Sequence, residues 1–321
     1  MTLKKKTILS LVLFFLIFGG LLTAATFTDL QVSDILTRHS LSAGQYYASD
    51  LFGSAFEAIG TCPEFLVGAL ALELALIYIT RFWKKKPLKT ILQIIAAVGV
   101  CGLYGSWYKE LFGYILRHFD PVDGGLPSYV WGVSVFLALF TTVLAVLAVN
   151  NFSDESVKKL LKFSIVTACA IIASVITVQL IKNPVGRMRY RAMNVIDDYS
   201  GFTRWYVVNG QPDKAWMKAT FGTSDAFKSF PSGHTRSAAS TFYLTTMLEL
   251  IGVKSKGKRA ACWIFAVVFT GLVAVSRIMV GAHFFSDVLM GGTIGFVFAM
   301  LSKEFFLCGS KHIKALFGKA A

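Results

Sequence analysis

Three segments in the second half of the chain contain the residue types that phosphoryl transfer uses. In chain order they supply Lys182 and Arg189, then Ser232, Gly233 and His234, and then Arg277, His283 and Asp287. The chain has only five histidines, and two of them fall in these segments. Imidazole can attack phosphorus or donate a proton, and fixed cations stabilise the charge of the transition state. This set suits in-line displacement at a phosphoryl group with neither a metal ion nor a cofactor.

The last segment predicts a nucleophile. His283 and Asp287 are four residues apart at the expected start of a helix, so their side chains share a face. A carboxylate there can accept the proton of one ring nitrogen and leave the lone pair of the other directed at an electrophile. Taken alone, the same spacing also fits a capping histidine with an acidic neighbour.

The middle segment predicts a phosphate site at the start of another helix. Pro231 suits a first helical turn, where free N–H groups favour an anion. Gly233 would let the backbone approach a phosphate closely, and a protonated His234 would donate to the leaving oxygen. The tetrapeptide alone fits equally well an ordinary helix start capped by Ser232.

Three cations are predicted to hold the phosphate. Lys182, Arg189 and Arg277 are costly in an apolar protein and call for anionic partners, and the planar fork of arginine matches phosphate oxygens. The alternative for each is a side chain that extends to lipid headgroups. That alternative, or contact with a second phosphate or a headgroup, is the interpretation for four further arginines: Arg187, Arg191, Arg204 and Arg236.

Composition indicates an integral membrane protein. The chain has 321 residues, is 55% hydrophobic and contains 28 phenylalanines. Repeated apolar runs of about 20 residues have the length needed to cross a bilayer. The net charge of +14 comes from short clusters between these runs, as the positive-inside rule predicts. A basic stripe with interleaved aromatic residues is absent from the sequence, so no nucleic-acid partner is expected.

The apolar pattern predicts an all-α bundle of about eight transmembrane helices. The predicted segments are 7–26, 65–82, 90–116, 130–149, 160–181, 233–252, 260–280 and 284–306. The glycine-rich third segment is the weakest, and the number falls to six if it and its neighbour do not both span. We divide the chain into N-terminal transmembrane helices with outer loops, 1–129, and a catalytic helical core, 130–321.

The distribution of Lys and Arg predicts that both termini are cytoplasmic in the plasma membrane. Basic clusters at 4–6, 81–89, 158–162, 254–259 and 303–319 then lie inside. The outer loops 27–64 and 117–129 carry only Arg38 and Arg117, whereas the outer segment 182–232 is basic because it belongs to the site. An alternative for the first segment is a cleaved signal peptide ending near 23–25.

The combined motifs resemble those of the type 2 phosphatidic acid phosphatase (PAP2) superfamily, which includes the vanadium haloperoxidases. The similarity covers Lys182-x6-Arg189, Pro-Ser-Gly-His and Ser-Arg277-x5-His283-x3-Asp287. One departure is Tyr190, which stands where the family usually has proline after the arginine. Arg187 and Arg191 therefore stay as alternatives to Arg189.

The resemblance implies a six-helix core with an extracytoplasmic site and metal-independent hydrolysis of a phosphomonoester or diphosphate. It implies that His283 forms a phosphohistidine, that Asp287 orients it and that His234 protonates the leaving group. The residues that it assigns to the phosphate are Lys182, Arg189, Ser232, Gly233 and Arg277.

We therefore expect a membrane phosphatase acting on a lipid phosphate or diphosphate, such as phosphatidic acid, phosphatidylglycerol phosphate or undecaprenyl diphosphate. One alternative is a phosphotransferase that uses a lipid or sugar acceptor. Another is a transporter or lipid-binding protein that holds phosphate without turnover. A haloperoxidase fits poorly, because this chain is mostly apolar and membrane-spanning.

Two further features receive expectations of their own. Glu73 lies inside an apolar run, where a carboxylate is either functional or paired with a neighbouring helix. The five cysteines form no C-x-x-C pair, so they are expected to be small packing residues rather than disulfides or metal ligands.

Overall fold

The structure is a computed structural model that describes residues 2–48, 50–119 and 126–316, with the side chains of 117–119 outside the description. The secondary structure of these residues is helical, which confirms the all-α prediction. The α-helices are α1 Leu3–Thr37, α2 Leu51–Gly60, α3 Cys62–Phe82, α4 Lys86–Phe119, α5 Ser128–Asn150, α6 Asp154–Val185, α7 Tyr190–Ile196, α8 Lys214–Phe221, α9 Gly233–Ala238, α10 Tyr243–Leu250, α11 Lys256–Met279, α12 Phe285–Phe306 and α13 Lys311–Leu316. Residues 120–125 of the predicted 117–129 loop lie outside the described residues, as does Lys319.

Within the described residues, seven helical segments are long and apolar enough to cross a membrane, by length and composition. The chain is a multi-pass membrane protein. The sixth predicted segment, 233–252, is helical as well, but a 3-10 turn at Ala239–Phe242 separates α9 from α10. Its first half carries Ser, Thr, His and Arg side chains, which lower its hydropathy. The first predicted segment, 7–26, is the middle of α1, which continues through 23–25 to Thr37.

Local signals explain where the helices begin and end. Ser153 and Ser255 cap the first turns of α6 and α11 by accepting from backbone N–H groups. At the end of α6, Gly186 takes a left-handed φ of +57°. A Cβ atom on Gly186 would lie 1.6 Å from the carbonyl oxygen of Gly210, so only glycine fits against the loop that contains Gly210.

The predicted basic clusters lie at one end of the bundle and the predicted motifs at the other. At the first end, Arg81 closes α3 and pairs with Asp154 at the start of α6, with 2.9 Å between Nη1 and Oδ1. Glu249 near the end of α10 accepts from Arg259 on α11 at 2.7 Å and from Lys303 on α12 at 2.5 Å. The motif residues lie at the opposite ends of α6 and α11 and at the starts of α9 and α12.

Close packing of α12 against α9 sets the distance between the second and third motifs. Gly291, Gly295 and Ala299 are spaced four residues apart and are buried on one face of α12. A Cβ on Gly291 would lie 2.2 Å from the carbonyl oxygen of Ser232, and one on Gly295 would lie 2.5 Å from that of Arg236. The small side chains therefore allow the two backbones to touch where the motifs meet.

Glu73 is paired with a neighbouring helix, as one of its two interpretations predicted. The hydroxyl of Tyr104 on α4 donates to Glu73 Oε1 at 2.8 Å, and both side chains are buried. All five cysteines are free.

The contact at Gly291 leads to a stability prediction. Gly291→Ala should lower the free energy of unfolding by about 1–3 kcal/mol, because the added methyl group meets backbone atoms of Ser232. Gly271→Ala on α11 is the matched control, since a Cβ there would have no neighbour within 4 Å. Thermal unfolding in detergent measures both variants. Equal melting temperatures would contradict the account of the helix contact.

Candidate active site

His283 lies in the turn between α11 and α12 and is buried. Its Nδ1 atom is 2.6 Å from the carbonyl oxygen of Ser229. A carbonyl oxygen can only accept a hydrogen bond, so Nδ1 carries the proton and donates. In the neutral ring, Nε2 then keeps its lone pair, which is the form that a nucleophile requires.

Asp287 acts on His283 indirectly. Its Oδ2 atom is 3.7 Å from Nδ1 of His283, beyond hydrogen-bond length. The same oxygen accepts from the Ser229 hydroxyl at 2.5 Å and from the Phe284 backbone N–H at 2.8 Å. Asp287 therefore fixes Ser229, whose carbonyl oxygen holds the imidazole ring.

Arg187 bridges two buried carboxylates. This differs from the roles that the sequence suggested for it, contact with headgroups or with phosphate. Its side chain is fully buried and makes four hydrogen bonds, two of them to carboxylates: Asp287 Oδ1 at 2.6 Å and Asp29 Oδ2 at 2.9 Å. The others go to the Ser286 hydroxyl and the Thr203 carbonyl, each at 2.8 Å. With its donors used inside the protein, Arg187 neither extends to headgroups nor is free to bind phosphate.

Arg191 is also held by protein groups. Its guanidinium lies 4.5 Å from the ring centre of Tyr46 and 5.3 Å from that of Tyr47, which suits cation–π contact. Arg236 pairs with Glu64 and donates to Ser174 at 3.3 Å. These contacts place both arginines inside the protein rather than at lipid headgroups, and the buried Nε atom of each lacks a hydrogen-bond partner among the described residues.

Arg277 and Arg189 have buried nitrogens that the protein does not satisfy. Arg277 donates from Nη2 to Glu57 Oε1 at 2.8 Å, while its Nε and Nη1 lack a partner among the described residues. Arg189 donates from Nη2 to the Lys228 carbonyl oxygen at 3.5 Å, and its Nε also lacks a hydrogen-bond partner among the described residues. Burying such donors without acceptors is costly, so the arrangement suits a bound anion.

Lys182 lies beside these arginines. Its Nζ is 4.0 Å from the position that a Cβ on Gly233 would take. The absence of that Cβ brings the start of α9 close to the ammonium group. The first N–H groups of a helix have no acceptor within it, so this region combines a cation with backbone donors.

The charges around His283 keep its ring neutral. The pKa of His283 is lowered to about 3, chiefly by burial. The nearby Arg189 and Lys182 also lower it, while Asp287 acts in the opposite direction. The imidazole ring of His283 is therefore neutral at neutral pH, with its single proton on Nδ1. The influence of both cations also places them within electrostatic range of the ring.

His234 is the second histidine of the cluster. Its Nε2 lies 3.1 Å from the hydroxyl oxygen of Tyr114, and the two rings meet edge to face with centroids 5.6 Å apart. Arg277, Glu57 and Lys182 interact with it electrostatically. The predicted cations thus surround both histidines.

Ser232 is the N-cap of α9, as its alternative interpretation predicted. Its hydroxyl oxygen accepts from the Thr235 hydroxyl at 3.0 Å and from the Thr235 backbone N–H at 3.4 Å. Its own backbone N–H donates to the Asp287 carbonyl at 2.9 Å. Ser232 thereby ties the middle motif directly to the last one.

The structure adds site residues that the motifs did not reveal: Asp29, Glu57, Tyr114 and Ser229. Asp29 falls in the predicted outer loop 27–64, whereas the structure places it inside α1, where a buried carboxylate requires a partner. Its oxygens accept from the Ser286 backbone N–H at 2.8 Å and from the Ser286 hydroxyl at 2.5 Å. The other three depend on contacts between segments that are distant in the chain.

Comparison with known proteins agrees with this geometry. Residues 163–307 match the family model described as the PAP2 superfamily, and this matched segment is referred to below as the PAP2 superfamily region. The resemblance seen in the motifs is thereby confirmed.

A curated relative also matches part of the chain. It is "Phosphatidylglycerophosphatase B" of Bacillus subtilis (strain 168), which is 37% identical over 79 residues. The match covers 24% of this chain and 38% of the relative's length. No solved structure matches the chain.

The buried neutral His283 predicts how stability depends on pH. An unfolded histidine has a pKa of about 6.5, so below that pH the unfolded chain binds a proton that the folded chain does not. This group should lower the free energy of unfolding by up to about 1.4 kcal/mol per pH unit as the pH falls from 6.5 towards 3.

His283→Asn is the matched variant, because its amide can still donate to the Ser229 carbonyl. Melting temperatures between pH 7 and 4 should fall more steeply for the wild type than for this variant. Parallel curves would show that His283 titrates as it does in the unfolded chain.

Proposed function

We propose that the protein is a membrane phosphatase that hydrolyses a lipid phosphate through a phosphohistidine. The observation that carries the proposal is the neutral His283, with Nε2 unprotonated, near buried arginine nitrogens that have no partner in the described part of the chain. A nucleophile and an anion site are thus adjacent. The PAP2 superfamily region and the partial relative named as a phosphatase support the same class of reaction.

In the first step, Nε2 of His283 attacks phosphorus and the bond between phosphorus and the leaving oxygen breaks. The negative charge of the bound phosphate offsets the nearby cations and favours a protonated His234, which gives its proton to that oxygen as the lipid alcohol departs. Arg277, Arg189 and Lys182 neutralise the negative charge on the remaining phosphoryl oxygens. The proton on Nδ1 stays with His283, held by the Ser229 carbonyl.

In the second step, water attacks phosphorus and the N–P bond breaks, which releases inorganic phosphate and restores His283. The unprotonated His234 now accepts a proton from the attacking water and so returns to its starting state. Each histidine therefore completes the cycle unchanged. The steps balance without any group beyond the substrate, water and these side chains.

A lipid substrate and an extracytoplasmic site follow from charge and placement. The basic clusters at the ends of α3, α10 and α12 lie away from the motifs, and such clusters favour the cytoplasmic side. The proposed site then faces the outer leaflet, where a lipid headgroup arrives laterally. The name of the partial relative makes phosphatidylglycerol phosphate the first candidate, followed by phosphatidic acid and undecaprenyl diphosphate.

The nucleophile is tested with His283→Asn in purified protein. Phosphate release from all three candidate lipids should be lost, and EDTA should leave wild-type activity intact. Acid-labile, base-stable phosphate on the wild-type protein after quenching should be absent from the variant. Retained activity in His283→Asn would overturn the proposal, and binding without turnover by the wild type would favour a non-catalytic protein. Phosphate transfer to an added alcohol would instead indicate a phosphotransferase.

The general acid is tested by changing the leaving group. His234→Asn should reduce hydrolysis of a lipid phosphate by about 10²–10⁴-fold, because an alkoxide is a poor leaving group without a proton. Nitrophenyl phosphate releases a stable anion, so the loss for that substrate should be far smaller. The ratio of the two losses is the measurement. Equal losses would assign His234 a role other than proton donation.

A further inference from the structure

A large cavity lies between α4 and α5, outside the PAP2 superfamily region. Its volume is about 1040 Å³, at the upper end of the ~300–1,000 Å³ range of small-molecule sites. It is lined by both helices, from Val98 and Gly102 on α4 to Val143 on α5. Neither helix contributes one of the residues to which the family resemblance assigns a role.

The cavity meets the candidate active site at one side chain. Tyr114 lines the cavity, and its hydroxyl lies 3.1 Å from Nε2 of His234. In the proposed reaction His234 protonates the leaving oxygen, which belongs to the lipid alcohol. The body of the lipid therefore leaves the active site on the side where Tyr114 and the cavity lie.

The cavity lining changes from polar near the active site to apolar further along, as a lipid changes from its headgroup to its hydrocarbon chain. Near the active site lie Lys109, stacked 4.2 Å from the ring centre of Trp131, and Ser134. The Ser134 side chain is buried, with 1% of the residue exposed, and its hydroxyl has no partner among the described residues. Further along, Val98 and Val143 leave an apolar lining, which suits hydrocarbon.

We propose that this cavity binds the hydrocarbon chain of the substrate lipid, either fatty acyl or polyprenyl, with its polar linkage at the Tyr114 end. The Ser134 hydroxyl is placed to hydrogen-bond an oxygen of that linkage. This inference rests on the proposed function and deepens it, because it makes α4 and α5 the part of the chain that selects long-chain substrates.

Gly102 offers a way to fill the cavity without disturbing the fold. A Cβ there would have no neighbour within 4 Å. Gly102 precedes Tyr114 by twelve residues, so it lies roughly 18 Å further along the helix from the site. A Gly102→Leu side chain should therefore meet long hydrocarbon chains, while short chains end before it. Gly132→Leu on α5 is the matched control, since it has the same free space and does not line the cavity.

The kinetic test uses dioleoyl and dihexanoyl forms of phosphatidic acid and of phosphatidylglycerol phosphate, with undecaprenyl and short-chain prenyl diphosphates as a second arm. Gly102→Leu should lower the ratio of long-chain to short-chain kcat/KM by about tenfold, and Gly132→Leu should leave it unchanged. The arm in which the ratio falls identifies the type of chain. An unchanged ratio in both arms, or one changed equally by the control, would overturn the inference.

A binding measurement separates this inference from the proposed function. In a His283→Asn background, Gly102→Leu should weaken binding of the long-chain lipid phosphates about tenfold relative to Gly132→Leu. If the wild type releases no phosphate but the difference in binding is observed, the proposed phosphatase function is overturned and the proposed lipid site is supported. If the wild type is active but the variants bind the lipid equally, the proposed lipid site is overturned and the phosphatase function is kept.

Discussion

The ion-pair network around the buried guanidinium of Arg187 is the interaction on which the rest of the site depends. A buried charge is tolerated only when its partners are in place, and leaving one unpaired costs about 3–5 kcal/mol. Arg187 meets this requirement with Asp29 from α1 and Asp287 from α12. Because Asp287 also holds Ser229, the position of the His283 ring follows from the same ion-pair network.

The site maintains two kinds of arginine at close range. Arg187 is saturated by carboxylates, so its charge is balanced within the protein. Within the residues that the structure describes, Arg277 has a single carboxylate partner, Glu57, and retains nitrogens without acceptors. A binding pocket for a highly charged anion needs such an incomplete balance, because fully paired cations would have to break existing bonds to bind it.

Much of the fold follows from the sequence, because long apolar runs force helices in a membrane. The positions of His283, Asp287, Arg277 and Arg189 in the described site also follow the motif spacing. Their catalytic and binding roles stay predictions. The break between α9 and α10 was not predicted, since the polar side chains that interrupt the segment leave its helical character intact.

What the sequence could not supply was backbone chemistry and long-range contact. The predicted partner of His283 was Asp287, whereas the structure places the Ser229 carbonyl there. Every residue has a carbonyl group, so no side-chain pattern marks the one that is used. Arg187 and Arg189 are likewise the same residue type two positions apart, and only their neighbours in space distinguish the bridging arginine from the one predicted to bind the anion.

The pairing of Asp29 with α12 also bears on how the protein is assembled. Asp29 and its partner Ser286 are separated by 257 residues, so the ribosome makes the acidic side chain long before the residue that donates to it. The first helix therefore enters the bilayer before the donors to this carboxylate on α12 have been made. Docking of α12 then supplies them. Assembly of the bundle would thus be completed by the same late event that builds the candidate active site, so a chain truncated before α12 would leave the nascent bundle open to quality control.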